Sequence, residues 1–372
     1  MCIYTYVSII ILIIMLLEIS GLLSHKVSFW LSSLLVVFII VFRDKSVGGD
    51  TERYWQFFQD FGNTYYGTPD SPGEGMEPGF VAIGKLFIAI TKNGYLWIAV
   101  TGLLNMIPYM ILVKRESYIK SIPFFLMVSN VWGLISTEIT ALRQIYAVSF
   151  AICAYLIYTS NIKRKKKLIL TVACLIMSMM THNSMLIALP LLLIAYFLKI
   201  KPKYGLIAMV SSLVIVLVVP NIFSSIFNEF YAQMRFVDAA SRMTDYYDNA
   251  NYDLTYEISF NRLGPQTLAG CLVVWLGRKD EKTSMFALSC IVLGICMYNI
   301  GAAFPMMTRA AFALTLVGST YVPVGFMKKK NRIARWIYIL LMIFFLRTSI
   351  KYYNNYEETG GNLIPYTFIW EK

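Results

Sequence analysis

The stretch Trp30–Phe58, "WLSSLLVVFIIVFRDKSVGGDTERYWQFF", changes character at a single point. An uncharged run, Trp30–Phe42, leads directly into Arg43, Asp44, Lys45, Asp50, Glu52 and Arg53, with Gly48–Gly49 set between them. The apolar part reads as a membrane helix and the charges as the place where it leaves the bilayer. The loop that follows is then either a solvated connector or the rim of a site.

The rest of the chain repeats the pattern. Its 372 residues are 58% hydrophobic and only 15% charged, where soluble domains carry roughly 25%, and its mean hydropathy is +0.61. Apolar runs recur from end to end, which predicts an all-α polytopic integral membrane protein. Segments of about ten residues with alternating polarity, the mark of a membrane β-barrel, do not occur. The net charge of +12 does not point to nucleic acid, because Lys and Arg gather in short blocks between apolar runs. Six cysteines, Cys2, Cys153, Cys174, Cys271, Cys290 and Cys296, show no ligand spacing and read as small hydrophobes. The N-terminal run "IYTYVSIIILIIMLLEIS" lacks a basic flank and a small-residue cleavage site, so it is expected to stay as a first helix.

The basic blocks are "HK" (25–26), "KRESYIK" (114–120), "KRKKK" (163–167), "KIKPK" (199–203), "GRKDEK" (277–282) and "KKKNRIAR" (328–335). Putting all of them in the cytoplasm predicts about twelve spans, near 3–23, 27–42, 94–113, 121–137, 139–159, 168–181, 184–198, 204–221, 264–277, 284–300, 310–327 and 333–350, with both termini outside. Segment 43–78, with seven acids against three bases, and segment 222–262, with six against three, then fall on the outer side. The run 79–90 is short for a span and is expected to be interfacial or re-entrant. No linker divides the chain, so residues 1–372 are expected to form one transmembrane domain with external loops 43–93 and 222–262.

Phosphate-loop, dinucleotide, serine-hydrolase and zinc-protease motifs do not occur, and His25 and His182 are the only histidines. The chemistry-bearing residues are arginines and acids on the outer side. Arg143 lies in "STEITALRQIYAVSFAICAYLIY", about one turn into a helix expected to begin near Glu138. A charge at mid-bilayer costs roughly 2.5–3.5 kcal/mol, so Arg143 either snorkels to the headgroups or faces a partner or an anion. His182 ends one apolar run and Ser184 starts the next; this is helix punctuation or a base facing an external cavity. Arg235 and Arg242 share a helix face with Asp238 between them, either as an ion-pair ladder or as a pair presented to phosphates. Arg262 and Arg309 each sit at the outer mouth of an apolar run, and the Tyr/Asp/Asn-rich tract after Arg242 suits sugar binding.

Five pieces of the chain, in order, resemble the EpsG-like branch of the Wzy polysaccharide polymerases. They are "FRDKSVGGDTERY" (42–54), "EPGF" (77–80), "ALRQIYAVSFAI" (141–152), "THNSMLIALP" (181–190) and "TRAAFAL" (308–314). The resemblance implies a GT-C-like architecture in the bacterial inner membrane, with the site facing the periplasm. It implies O-antigen or surface-polysaccharide polymerisation: a growing glycan leaves undecaprenyl diphosphate and joins the non-reducing end of an incoming lipid-linked repeat unit. No cofactor, nucleotide sugar or metal is then required, and a chain-length regulator is the expected protein partner. Carried onto this sequence, Asp50, His182 and Glu77 become candidates for catalysis or acceptor positioning. Arg43, Tyr54, Arg143, Gln144, Arg235, Arg242, Arg262 and Arg309 become candidates for substrate binding.

Other readings share part of the pattern. An O-antigen ligase differs only in its acceptor. A flippase or other transporter of lipid-linked oligosaccharide should carry charges near the midplane and repeat symmetry, whereas here the charges gather at helix ends. A membrane acyltransferase has no acyl-donor signature beside His182.

Overall fold

A computed structural model of the chain describes residues 3–60, 76–128, 139, 141–219, 258–277, 284–302, 305–321, 332–355 and 366–371. These residues form fourteen helices: α1 Ile3–Ser20, α2 His25–Val41, α3 Thr51–Asp60, α4 Pro78–Ile90, α5 Gly94–Glu116, α6 Ser121–Val128, α7 Leu142–Tyr158, α8 Arg164–Thr181, α9 Met185–Leu198, α10 Pro202–Val218, α11 Phe260–Gly277, α12 Met285–Ile300, α13 Pro305–Gly318 and α14 Arg332–Asn355. Among the described residues the only β pairing is an isolated bridge between Arg43 and Phe368.

The packing is that of a chain in lipid. α1 and α5 are by themselves long and apolar enough to cross a bilayer, and α2, α7, α9, α10 and α12 are shorter apolar helices. Large apolar side chains face outward: Leu86 on α4, Leu193 and Phe197 on α9, Val218 on α10 and Trp336 on α14 are all more than half exposed. Meanwhile Thr5 and Ser8 of α1 and Ser28, Ser32 and Ser33 of α2, two helices that pack together, are buried. This inverts the soluble pattern, since lipid is as apolar as leucine and small residues let helices approach.

The helices gather their charged ends on one side. His25 and Lys26 open α2, Lys114 and Arg115 close α5, Lys163–Lys167 straddle the start of α8, and Lys199, Lys201 and Lys203 join α9 to α10. The start of α12 lies there too, with Phe286 stacked on Tyr155 of α7 at 4.5 Å. Glu18 of α1, an acid that the sequence pattern did not single out, is fully buried at this end. It accepts from His25 Nδ1 at 2.7 Å and from the backbone N–H groups of Lys120 at 2.9 Å and Ser121 at 3.0 Å, so one carboxylate ties α1 to the starts of α2 and α6.

At the opposite end the chain leaves α2, forms α3 and α4, and enters α5. A helix at 51–60 was not expected in a segment this charged. Its apolar residues Tyr54, Phe57 and Phe58 fall at i, i+3 and i+4, while Glu52 and Gln56 face outward. The turn into it needs Gly48, at φ +102°, where a Cβ would stand 2.6 Å from Ile139 and 2.7 Å from Thr51. Both ends of α4 stay on this side. Its N-cap Glu77 meets Arg143, while Lys92 just beyond its C-terminus accepts from the Gln59 amide at 3.4 Å. Gly79 lets α4 close on α8, since a Cβ there would lie 2.8 Å from the Met180 backbone.

Several helices differ from the expected bounds. α7 begins at Leu142, so Arg143 sits in its first turn and not one turn deep. α8 begins within the basic block at Arg164, and α13 covers Pro305–Gly318 where 310–327 was expected. Glu138 and most of the second external segment, residues 222–257 with Arg235, Asp238 and Arg242, lie outside the described residues.

Candidate functional site

The site forms where the starts of α3, α4, α7 and α13 meet the turn between α8 and α9. An aromatic core holds α3 and α4 onto the bundle, with Phe58 stacked on Trp97 of α5 at 4.8 Å and Phe80 packed against Tyr54, Phe57 and Tyr146 of α7. Tyr146 is itself held by a 2.7 Å hydrogen bond to Thr101. This packing delivers Tyr54 and Glu77 to the first turn of α7, where Arg143 waits.

Arg143 donates from Nη1 to Glu77 Oε2 at 2.7 Å and from Nε to the Tyr54 hydroxyl at 3.2 Å. The side chains of Arg143 and Glu77 are 23% and 10% exposed, so neither is sealed from a ligand. The other Glu77 oxygen accepts from the Asn183 backbone N–H at 3.4 Å, a long bond, linking α4 to the turn between α8 and α9. The guanidinium therefore has an anion on one face of its fork and an aromatic hydroxyl at its root. Burial pushes the Tyr54 hydroxyl up from its ordinary value, partly offset by Arg143, so it stays protonated.

Gln144, beside Arg143, is buried and donates to the Arg309 backbone carbonyl at 2.9 Å. That bond ties α7 to α13. Arg309 is itself exposed. It is close enough to His182 and Tyr54 to act on both through its charge.

His182 caps α8 in extended geometry and is 5% exposed. Its Nδ1 lies 3.1 Å from the Ser184 backbone nitrogen and 2.8 Å from the Ser184 hydroxyl. Burial first, then Arg309 and Arg143, holds its pKa well below the usual 6.5. Asp50 is exposed at the start of α3, one turn before Tyr54, whose backbone N–H bonds its carbonyl at 3.0 Å. Its charge acts on the Tyr54 hydroxyl.

The structure thus brings together Asp50, Tyr54, Glu77, Arg143, Gln144, His182 and Arg309, from five separate regions of the sequence. Arg43 lies elsewhere. It is fully buried, donates from Nη1 to the Ile40 carbonyl, and pairs through its backbone with the C-terminal segment. There Asp44 N–H bonds Thr367 O at 2.9 Å and the Tyr366 hydroxyl bonds Ile39 O at 2.7 Å. Arg262 is half-buried in the first turn of α11, where its neighbour Leu263 packs with Leu213 and Val216 of α10. Ser184 belongs to the site although its sequence context suggested only a helix cap. Guanidinium and amide donors gathered at one place can stabilise charge that develops on phosphate.

Among known proteins, the model of the EpsG family matches residues 26–368. No curated protein and no solved structure matches the chain.

Proposed function

This chain belongs to the EpsG family, a family of membrane-embedded, polysaccharide-polymerase-like glycosyltransferases, and on that premise we propose that it polymerises lipid-linked repeat units of a bacterial surface polysaccharide, O-antigen or a related glycan. The growing glycan sits on undecaprenyl diphosphate. The hydroxyl at the non-reducing end of an incoming lipid-linked repeat attacks the anomeric carbon, and the bond from that carbon to the diphosphate oxygen breaks. Undecaprenyl diphosphate leaves with the bonding electrons, and the hydroxyl proton passes to a carboxylate.

The observation that carries this reading is that Arg143 and Arg309 both act by charge on His182 and on Tyr54, with the Gln144 bond to the Arg309 carbonyl at 2.9 Å tying their helices together. Two permanently charged guanidinium groups at one helix mouth are suited to the diphosphate as negative charge builds on it. Asp50, exposed beside Tyr54 and with no side-chain hydrogen bond among the described residues, takes the acceptor proton in this reading. Glu77 holds Arg143 in orientation and fills its fork until the diphosphate arrives. About twelve spans, a GT-C-like architecture, a periplasmic site in the inner membrane and a chain-length regulator as partner belong to the same proposal. The segregation of Lys-rich helix ends away from Arg143 supports that orientation.

A host lacking the gene is expected to make lipopolysaccharide capped with a single repeat unit in place of a ladder. Loss of all capping would indicate a ligase instead, and an intact ladder would remove both readings.

A further inference from the structure

We propose that His182 acts as a neutral hydrogen-bond donor, through Nε2–H, to an anionic oxygen of the lipid diphosphate, and that Ser184 is the positioning residue that holds it in this form. The inference rests on the polymerase reading for its ligand but on local geometry for its chemistry. A backbone N–H can only donate. With the Ser184 nitrogen 3.1 Å from Nδ1, that ring nitrogen must be the acceptor and carries no proton. The Ser184 hydroxyl, 2.8 Å away, donates to the same lone pair. A neutral imidazole with Nδ1 unprotonated carries its hydrogen on Nε2.

The ring therefore cannot serve as a general base through either nitrogen. Nδ1 is occupied and Nε2 already bears a proton. Nor does it become imidazolium easily, because a proton on Nδ1 would meet the Ser184 N–H head-on. The charged and titratable groups around it point the same way: Arg309 from α13 and Arg143 from α7 repel a further positive charge, and Glu77 from α4 is already engaged by Arg143. Tyr54 from α3 stays protonated.

Among the described residues no acceptor takes the Nε2 hydrogen, and Nε2 is not one of the fully enclosed unpartnered atoms, so it is the part of a nearly buried ring left open to a ligand. A helix cap alone explains the Nδ1 contacts and leaves Nε2 unused. A phosphate oxygen held between Arg143 and Arg309 supplies the missing acceptor. The donor then joins two guanidinium groups on the leaving diphosphate, and proton removal falls to Asp50.

With only two histidines in the chain, a His25→Gln variant labelled with ring-¹⁵N histidine reports His182 alone. His25 pairs with Glu18 at the other end of the bundle, away from this site. The expected spectrum shows an unprotonated Nδ1 and a protonated Nε2, unchanged from mildly acid to mildly alkaline pH, and the Nε2 resonance moves when undecaprenyl diphosphate is added. An imidazolium forming in that range, the opposite tautomer, or an Nε2 resonance indifferent to undecaprenyl diphosphate overturns the proposal. In a polymerisation assay His182→Gln, whose amide can donate from the same place, is expected to stay within about tenfold of wild type, while His182→Ala loses about a hundredfold. Polymerising wild type with a folded but inactive His182→Gln rejects the donor role alone. Wild type that binds undecaprenyl diphosphate and makes no polymer rejects the polymerase reading and leaves the spectrum to decide the tautomer.

Discussion

Arg143 and Glu77 are joined at 2.7 Å across the meeting point of α7 and α4. Their side chains come from the two motifs "ALRQIY" and "EPGF", separated by more than sixty positions. The pair is mostly screened by protein yet not sealed, which suits a contact that a diphosphate is to replace.

The first prediction concerns that pair. Arg143→Ala is expected to lower polymer formation by about 10²-fold or more, the scale of losing a donor made for developing charge. Arg143→Lys keeps the charge but loses the fork and recovers only part of it. Glu77→Ala leaves the guanidinium without its orienting partner and also reduces polymer. Because the two residues share one contact, the double variant is expected to fall short of the product of the singles. Band patterns of glycan ladders, normalised to protein in the membrane, provide the measurement.

Asp50 is a separate case. Asp50→Asn removes the carboxylate yet leaves α3 capped by the same backbone bond to Tyr54. The expected result is a well-inserted protein with about 10²-fold less polymer, and Asp50→Glu between the two. A ladder of wild-type intensity from Asp50→Asn would move the proton to another acceptor.

Arg43 gives the opposite expectation. It is buried against Ile40 and held beside the C-terminal segment, so Arg43→Ala should destabilise the fold on the order of 2 kcal/mol. The signature is lower yield and a lower unfolding temperature in detergent, with undecaprenyl diphosphate affinity unchanged in the protein that remains folded. Reduced affinity at normal stability would instead bring Arg43 into the site.

The fourth prediction follows from the depressed pKa of His182. The folded state favours the neutral ring, so between the lowered native value and the unfolded value of 6.5 the unfolded chain binds more protons. Stability from this group is therefore full above 6.5 and lost as pH falls toward the native value. Unfolding temperatures of wild type should decline below pH 6.5 more steeply than those of His182→Gln. Parallel slopes would mean that the buried ring titrates normally.

Much of the architecture was legible in the sequence because lipid imposes simple rules. The basic blocks among the described residues sort to one side, and an acidic segment after an apolar run marks the other, so the two ends of the bundle follow from charge there. The run 79–90 was recognisably too short to cross, and its two ends do stay on one side. α3 was not legible, because its apolar stripe of Tyr54, Phe57 and Phe58 is buried only against Phe80, Trp97 and Tyr146, which arrive from three other helices. Arg143 stood out because a charge in an apolar run is costly. Its neighbour Gln144 carried no such signal, since its partner is a backbone carbonyl 165 positions away. The burial of Arg43 depends on residues 366–369, so no local pattern could reveal it. Ser184 looked like an ordinary cap, and only the distance to Nδ1 gives it a second role.

The central claim is that Arg143 and Arg309 hold a lipid diphosphate while a glycan is passed between carriers. Its most direct test uses purified protein in lipid with an undecaprenyl-diphosphate-linked repeat unit as the sole added substrate. The expected products are glycans of increasing length together with released undecaprenyl diphosphate, and about a hundredfold less of both or lower from well-folded Arg143→Ala. Chain growth at the wild-type rate by that variant, or wild-type protein that consumes no lipid-linked repeat, would contradict it.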